Sequence, residues 1–478
     1  MKKKLFLVIS LLILVGTLTS CHGKLVPKKN KVELIDFEVP AAFDETRNYE
    51  LTFWAKNDTN KIQQEIFNQA VKSFEELYPN IHITVVQYND YTKIYSDVIT
   101  NIATKTTPNL SIAYPDYVAT FMEGGDVIVP LDTLMSNERY GFGGSQVKFD
   151  SIKQEDILPK FLSECKIEDR YCILPFMRST EALYVNKTYL EENGFSIPKI
   201  FTWDYIWKVC AYAKAKALNE GNAMIPLIYK STDNMFIQLC EQNEYAYTTS
   251  NGKVLFLSDE VSDMLLDLVE PIQKGYFDTF KRVSYPGNYF NKGQCIFAID
   301  STAGSTWIGT KAPLLDIPES ELVDFDTIVS MVPQVDENRP KMISQGPSMC
   351  LFYKEDPQEV LASWLFMQYL LTNQTQIAFA KTEGYLPVTI PAVESEDFQA
   401  YLVNEEEYDV KRAATQLIID QMDHTFVTPV FNGSSLCRSA SGYLIEAMFN
   451  AKYQDKKGVK ELYSLVNTRY KLSTYETK

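Results

Sequence analysis

The sequence has few of the residues on which metal sites and hydrolytic sites depend. It contains three histidines in 478 residues, and only His82 and His424 lie beyond the N-terminal region. Two scattered histidines are too few for a zinc site, and the chain has neither a Gly-x-Ser-x-Gly segment nor a glycine-rich phosphate loop ending in Lys-Ser or Lys-Thr. We therefore expect no metal ion, no cofactor and no catalytic residue.

An excess of positive charge is also absent. The chain has 46 Lys and Arg against 62 Asp and Glu, which gives a formal net charge of −16 at pH 7. A polyanion would be repelled by such a chain, so nucleic acid is excluded as a partner. Long apolar runs are scarce too, because beyond residues 5–15 no segment is long and apolar enough for a transmembrane helix.

The N-terminus has the pattern of an export signal. Three lysines precede the apolar run 5–15, which is too short to span a membrane permanently. The segment Leu18-Thr19-Ser20-Cys21 resembles the bacterial lipobox, in which the cysteine becomes the lipidated N-terminus. We expect residues 1–20 to be a signal peptide and Cys21 to carry fatty acyl chains such as palmitate. Residues 21–46 would be a tether, so that the body is anchored outside the cell membrane.

The number of cysteines argues against a disulfide framework. Eight cysteines less Cys21 leave seven, an odd number. Cys165 and Cys172 flank a possible hairpin with its turn at Glu168-Asp169, where cross-strand neighbours approach disulfide distance. The sequence leaves open whether this pair is bridged or reduced.

The order of periodic segments indicates an α/β protein. After removal of the signal the chain has 458 residues, more than one core usually serves, so at least two lobes are expected. Residues 49–55 alternate as a strand, Ile62, Ile66, Ala70, Phe74 and Leu77 follow at helical spacing, and residues 81–85 alternate again. A strand, a helix and a strand in this order predict a parallel sheet, whose ligands bind at the carboxyl ends of the strands.

Five blocks spread over the mature chain resemble the extracellular solute-binding proteins of ABC importers, in the family that binds carbohydrates and glycerol phosphates. The blocks are 51–54 with 74–81, 107–116, 174–204, 290–301 and 364–388. Two positions depart from the family pattern: Asn109 stands where Asp is commoner, and Asp169-Arg170 replaces the usual Asp-Gly turn.

The resemblance implies a two-lobe periplasmic-binding-protein-like fold of type II, each lobe a helix-covered and mainly parallel sheet joined to the other by hinge crossovers. It implies residues 47–178 plus 325–353 in the N-lobe and residues 179–324 plus 354–478 in the C-lobe. Hinge closure near Ser179 and Lys354 would enclose the ligand. The implied partners of this monomer are a small carbohydrate, ABC permease subunits and, through the lipid anchor, the membrane.

Candidate ligand-binding residues combine planar hydrogen-bonding groups with aromatic faces, the two features that a sugar ring requires. From the predicted strand ends and by resemblance they are Trp54, Asn57, Asp58, Tyr114, Asp116, Arg178, Ser179, Asp300, Ser301, Ser305, Trp307, Gly346, Tyr385 and Arg438.

Each candidate also has a structural interpretation. Asn57 or Asp58 could cap a helix, the two tryptophans could pack in a core, and Gly346 could simply form a turn. Arg178 and Arg438 could be surface charges, whereas both in the cleft would favour a phosphorylated or acidic ligand.

Three alternatives to a carbohydrate importer remain open at this point. One is a binding protein of the same fold for glycerol phosphate or an acidic sugar. Another is a secreted glycoside hydrolase, which would need two carboxylates at a fixed separation. A third is a sensor or adhesin lipoprotein on the same fold, because fold does not fix function.

Overall fold

The computed structural model describes residues 34–57, 61–312, 317–403 and 409–472. The expected signal peptide, the lipidation site Cys21, the first part of the tether and the candidate ligand residue Asp58 lie outside the described residues. Among the helices that are described, none has the length and the apolar character needed to cross a membrane.

Strands and helices alternate along much of the described chain. The strands are β1 (Tyr49–Lys56), β2 (Ile81–Tyr88), β3 (Leu110–Ala113), β4 (Lys166–Ile167), β5 (Arg170–Tyr171), β6 (Leu174–Pro175), β7 (Met177–Asn186), β8 (Leu227–Tyr229), β9 (Phe277–Thr279), β10 (Phe297–Ser301), β11 (Thr327–Met331), β12 (Met342–Gln345), β13 (Ser348–Leu351), β14 (Leu386–Pro387) and β15 (Thr425–Phe426). The helices are α1 (Lys61–Leu77), α2 (Tyr91–Thr104), α3 (Pro115–Phe121), α4 (Asp132–Met135), α5 (Pro159–Ser163), α6 (Lys187–Glu192), α7 (Trp203–Glu220), α8 (Thr232–Gln242), α9 (Asp259–Leu266), α10 (Val269–Gln273), α11 (Pro286–Phe290), α12 (Pro357–Tyr369), α13 (Asn373–Ala380), α14 (Ile390–Val393), α15 (Glu396–Leu402), α16 (Val410–Asp420), α17 (Ser434–Ala447) and α18 (Lys456–Arg469).

The first sheet begins with the strand, helix and strand that the sequence predicts. β1 lies parallel to β2 and to β3, and the full order is β2-β1-β3-β13-β6. The buried face of α1 is formed by Phe67, Ala70 and Phe74, whereas Ile62 is 60% exposed. The predicted helix is therefore confirmed, but its predicted stripe starts one turn too early. A helix buries the side chains on the face that packs, and in this first turn that face carries Gln63, which is buried, while Ile62 points to the other side.

The second sheet is built around β7, the longest of its strands. Its order is β15-β12-β7-β10-β8-β9, and all ten residues of β7 are buried. One edge of β7 pairs with β10, and the other pairs in turn with β11, β12 and β14. Such complete pairing is required because a buried strand edge without hydrogen bonds is costly.

The two sheets are connected by neighbouring crossovers. β6 belongs to the first sheet and β7 starts two residues later in the second, while β12 and β13 are separated by Gly346 and Pro347. The crossovers touch, since the backbone N–H groups of Phe176 and Met177 both donate to the carbonyl oxygen of Pro347, at 3.1 and 3.4 Å.

The positions of the crossovers differ from part of the expected lobe boundaries. The second crossing lies at Gly346-Pro347 and not at Lys354, whose ammonium donates to the carbonyl of Thr107 beside the first sheet. β11 and β12 were expected in the N-lobe, but they complete the edge of β7 in the second sheet. Conversely, α12 was expected in the C-lobe, but its apolar side chains, Val360, Trp364 and Met367 among them, are buried in the core of the first sheet.

Residues 34–46, which we name the N-terminal strap, are docked on the first sheet's side of the protein. Phe37 and Phe43 are buried in its core, and the backbone N–H of Phe43 donates to Tyr140 Oη at 2.8 Å. The carbonyl of Ile35 accepts a bond from Tyr353 at 3.0 Å. The expectation of a free tether over 21–46 is therefore wrong for the strap. Burial of its two phenylalanine side chains removes apolar surface from water, which stabilises the docked position.

The predicted hairpin is present, and its cysteines are not bridged. β4 and β5 pair antiparallel, and Glu168 and Asp169 in the turn have φ of 51° and 65°. Cys165 and Cys172 are buried free thiols, and burial raises the pKa of each to about 12. Because oxidation proceeds through the thiolate, this burial also disfavours formation of the bridge.

Candidate functional site

The candidate site lies where the crossovers bring both sheets together. The central part of β7, the end of β10, the end of β12, the first turn of α8 and the first turns of α17 meet here. Helix α3 approaches the same place from the first sheet, because its Thr120 Oγ1 lies 3.2 Å from Ser435 Oγ of α17.

Asn234, in the first turn of α8, is hydrogen-bonded to three side chains at this site. We name Asn234 with Glu181, Gln345 and Arg438 the Asn234 junction. Its Nδ2 donates to Glu181 Oε1 at 3.0 Å and to Gln345 Oε1 at 2.9 Å. Its Oδ1 accepts a bond from Arg438 Nη2. One buried amide therefore links β7, β12 and α17. Sequence reasoning missed both Asn234 and Gln345, since neither belongs to a motif.

Ser301 and Ser179, two of the predicted ligand residues, adjoin this junction. Gln345 Nε2 donates to Ser301 Oγ at 3.0 Å, and the same oxygen accepts the N–H of Ala303. The hydroxyl of Ser179 donates to the carbonyl of Gln345 at 3.4 Å. The two predicted serines are thus brought together through Gln345.

Arg438 is held between two carboxylates from different parts of the chain. Its Nη2 lies 3.1 Å from Asp233 Oδ2 of α8, and its Nε lies 3.6 Å from Asp116 Oδ2 of α3. Burial raises the pKa of Asp116, and the guanidinium of Arg438 opposes that rise. Burial also disfavours the charged guanidinium, but Asp233 and Asp116 outweigh it and raise the pKa of Arg438. Asp116 and Arg438, both predicted, therefore meet, and Asp233 joins them.

Glu181 is a fully buried acid below this cluster. Its carboxyl accepts bonds from Asn234, from Gln238 Nε2 at 2.6 Å and from the Tyr229 hydroxyl. Burial raises its pKa to about 8, although the bonds from Tyr229 and Asn234 oppose the rise. Burial therefore favours the protonated, uncharged form of this acid over the carboxylate.

Asp300, the second-last residue of β10, is buried, and its counterion Lys230 is partly exposed. Its Oδ1 lies 2.7 Å from Lys230 Nζ and accepts the backbone N–H of Ser301 at 2.6 Å. The same ammonium lies 5.4 Å from the ring centre of Tyr285, which is half exposed. Asp300 therefore fixes the strand end and presents Lys230 beside an aromatic face.

Aromatic side chains surround the carboxyl ends of β1 and β3. The ring of Trp54 lies 5.4 Å from that of Tyr88, and Tyr114 lies 4.6 Å from Tyr91 and 5.7 Å from Tyr117. The tyrosines are half-buried, whereas Trp54 is buried. Trp54 and Tyr114 thus belong to one aromatic surface, in which Trp54 is mostly packed.

Asn57 follows β1 beside that surface. It is buried, and its Nδ2 donates to Gln87 Oε1 at 3.1 Å, next to the end of β2. The predicted strand-end position is therefore confirmed for Asn57.

Arg178 is buried and bonded to protein groups. It is 1% exposed; its Nε lies 2.9 Å from Glu164 Oε2, and its Nη1 donates to the carbonyl of Pro347 at 3.1 Å. Its Nη2 donates to Ser348 Oγ at 3.3 Å. All three nitrogens bind the protein at the crossovers, so the expected ligand role is replaced by a role in holding the crossovers together.

Gly346 also has a structural role. It has a φ of 142°, and a Cβ at this position would lie 2.3 Å from the carbonyl oxygen of Met177. Because backbone meets backbone there, only glycine fits, which explains the residue without a ligand.

The other three predicted residues lie outside the Asn234 junction. Ser305 is buried in the short 3₁₀ helix after β10, and the carbonyl of Trp307, which is half-buried, accepts a bond from Asn291 at 2.9 Å. Tyr385 is buried against Phe379. Ser305 and Tyr385 are buried in the protein, and the predicted contacts of all three residues with a ligand stay predictions.

The described residues contain no group of three or more His, Cys, Asp or Glu arranged to hold a metal ion. What the site offers instead is a set of planar amides, carboxylates, hydroxyls and aromatic faces on the ends of buried strands. Such groups suit a polyhydroxylated ligand, because each ring hydroxyl can both donate and accept a hydrogen bond while the apolar face of the ring stacks.

Comparisons with known proteins give the same interpretation of the fold. The chain is 21% identical over 365 residues to the sn-glycerol-3-phosphate-binding periplasmic protein UgpB of Brucella melitensis, which covers 72% of this chain and 76% of that protein. It resembles UgpB from Mycobacterium tuberculosis in complex with glycerophosphocholine, with a TM-score of 0.68 and 17% identity over 88% of this chain and 98% of that one. It also resembles maltose-bound MalE3 of T. maritima, with a TM-score of 0.66 and 15% identity over 88% and 99%.

The predicted mixed α/β fold of type II periplasmic binding proteins is thereby confirmed. The family model for the bacterial extracellular solute-binding protein matches residues 69–404, well over half of the chain. The crossovers, the site between the sheets and this match lead to one conclusion: the chain belongs to the family of bacterial extracellular solute-binding proteins.

Proposed function

We propose that this protein captures a carbohydrate, such as an oligosaccharide, outside the cell and delivers it to the permease subunits of an ABC importer. The Asn234 junction supports this proposal, because it collects amide, carboxyl and guanidinium groups beside the crossovers, and Arg438 links it to Asp116 on the first sheet's side. The half-buried tyrosines at the end of β3 add faces for sugar rings.

Ligand capture would proceed by closure of two lobes. Two lobes, divided at Met177 and at Gly346-Pro347, would close around the ligand as a hinge, and the closed form would be recognised by the permease. The protein would act as a monomer and would catalyse no reaction. A lipid on Cys21 would hold it at the outer face of the cell membrane. The relatives' names describe binding proteins, which supports a role without turnover.

Thermal unfolding and calorimetry on a soluble chain that starts after Cys21 would test the proposal. The panel would contain mono- and oligosaccharides, glycerol-3-phosphate and sugar acids. A ligand at one hundred times its Kd adds about 2.7 kcal/mol to the free energy of unfolding, so one sugar class should raise the melting temperature. Chromatography of the recovered sugar should find it unchanged, and a cleaved sugar would instead indicate a glycoside hydrolase.

A matched pair of variants would locate the binding. Asn234→Ala removes the junction and should weaken sugar binding by at least about tenfold, or 1.4 kcal/mol. Asn222→Ala changes an exposed asparagine after α7 and should leave it unchanged. Equal affinities of the two variants would contradict a site at the crossovers.

A further inference from the structure

We propose that Asp116 and Asp233 are specificity-determining residues that clamp Arg438 and thereby exclude phosphorylated and acidic sugars from the site. This inference rests on the proposed function and names its ligand class as neutral. It separates this chain from relatives whose names state sn-glycerol-3-phosphate as their ligand.

The geometry leaves Arg438 few free donors. Its Nη2 contacts Asp233 Oδ2 at 3.1 Å and donates to Asn234 Oδ1, and its Nε lies 3.6 Å from Asp116 Oδ2. Its Nη1 lies 3.5 Å from Thr428 Oγ1. Tight phosphate recognition by arginine uses two parallel N–H donors on one edge of the guanidinium. Here each of the three nitrogens already faces a protein oxygen.

The local charge balance also opposes an anion. Two carboxylates face one guanidinium, so the clamp has a net charge of about −1, and the nearby Lys230 is paired with Asp300 at 2.7 Å. In a partly buried site the repulsion between such a cluster and a phosphate dianion is much stronger than in water. A neutral hydroxyl meets no such repulsion and can accept or donate at the carboxylate oxygens.

The clamp resists rearrangement because its members are held by separate elements. Asp116 lies on α3, Asp233 on α8 and Arg438 on α17, and the side chains of Asp116 and Arg438 are 12% and 21% exposed. Turning Arg438 toward a phosphate would leave Asp116 without its cation in a buried place, which is strongly unfavourable.

Calorimetric titration with glycerol-3-phosphate and with inorganic phosphate would test the clamp in four proteins and a control. These are the parent chain, Asp233→Asn, the double variant Asp116→Asn/Asp233→Asn, and the double variant with Arg438→Gln added. The single variant is useful in its own right because Asp233 is 32% exposed and its amide should not disturb folding. Asp278→Asn is the matched control, since it frees a second arginine, Arg282, from a 2.8 Å ion pair away from the clamp.

We expect the parent chain and Asp278→Asn to bind neither anion at concentrations of about 1 mM. Asp233→Asn should gain measurable affinity, the double variant should gain at least about tenfold more, and Arg438→Gln should abolish the gain. Binding of glycerol-3-phosphate by the parent chain would overturn the clamp, and so would the absence of any gain in both Asp→Asn proteins. The sugar panel on the parent chain tests the proposed function separately, because a gain of anion binding does not depend on which sugar binds.

Discussion

Glu181 makes the stability of this protein sensitive to pH. Its carboxyl is enclosed by Tyr229, Asn234 and Gln238, and burial raises its pKa to about 8 from a usual value of 4.5. Between these two values the unfolded chain is deprotonated at this group while the folded chain keeps the proton. The folded state therefore binds more protons, and its stability falls as the pH rises toward 8.

Replacing this acid by its amide should remove that pH dependence. Glu181→Gln cannot ionise, but its amide nitrogen would face Gln238 Nε2, a second donor, so the variant loses one hydrogen bond at every pH. We expect its melting temperature to lie below that of the parent chain near pH 5, and this difference to shrink as the pH rises to 8. Thermal unfolding of both proteins from pH 4.5 to pH 9 measures this difference. Parallel melting curves across the whole range would contradict a buried acid at position 181.

At the residue scale the sequence identified types of side chain better than their surroundings. Asp116, Ser179, Ser301 and Arg438 were predicted and do lie together around Asn234, while their contact with a ligand stays a prediction. Arg178 was predicted on equal grounds, yet it binds Glu164 and the carbonyl of Pro347. A guanidinium has the same sequence signature whether it faces a cleft or fixes a crossover. The difference depends on which carbonyl oxygens are unpaired nearby, and no local pattern records that.

At the scale of elements, local sequence patterns predicted those helices, strands and turns that depend only on residues close together in the sequence. The turn at Glu168-Asp169 and the strand, helix and strand of 49–88 were predicted from spacing alone. Pairing of β11 and β12 with β7 was not, because it depends on an edge of β7 that is more than a hundred residues away in sequence. The N-terminal strap was missed for a related reason, since its two buried phenylalanines have no periodic neighbours.

Docking of the strap can be tested with two substitutions in the same segment. Phe43→Ala removes a buried ring and should lower the free energy of unfolding by about 3 kcal/mol. Ile35→Ala changes a side chain that is 61% exposed and should alter it by less than about 0.5 kcal/mol. Urea unfolding of the soluble chain measures both values. Equal and small effects would mean that the strap is not bound in solution.

At the scale of the whole molecule, two sheets are joined through crossovers that are packed against each other. The contacts between α3 and α17 across the site include the polar pairs Thr120 with Ser435 and Asp116 with Arg438. If α3 and α17 separate, water solvates Asp116 and Arg438 together, so neither charge is left buried without a partner, whereas the crossovers stay buried. The molecule should therefore bend at the crossovers and open between α3 and α17.

Small-angle scattering should detect this motion. A folded chain of this size has a radius of gyration of about 22 Å, and the value should decrease when the sugar found in the panel is added. Asn234→Ala, with its weakened site, should show no decrease at the same sugar concentration. An unchanged radius for the parent chain at saturation would contradict hinge closure.

The two-lobe fold of the whole molecule could be predicted because five blocks of the family pattern occur in order along the sequence. It could not supply the position of the second crossover, which was expected at Lys354. That position depends on the contact of Gly346 with the carbonyl of Met177, a meeting of two backbones. Glycine and proline mark turns of many kinds, and only the packed partner distinguishes a crossover from an ordinary turn.

The unbridged cysteines have a consequence for how the motions of this protein can be observed. Each is shielded from solvent, and together they sample both sheets: Cys165, Cys172, Cys210, Cys240, Cys295, Cys350 and Cys437. A shielded thiol reacts with an alkylating reagent only while its own neighbourhood is transiently unfolded. The described part of the chain thus contains seven buried thiols that report local opening, and mass spectrometry of timed alkylation would show which regions open most often without an engineered label.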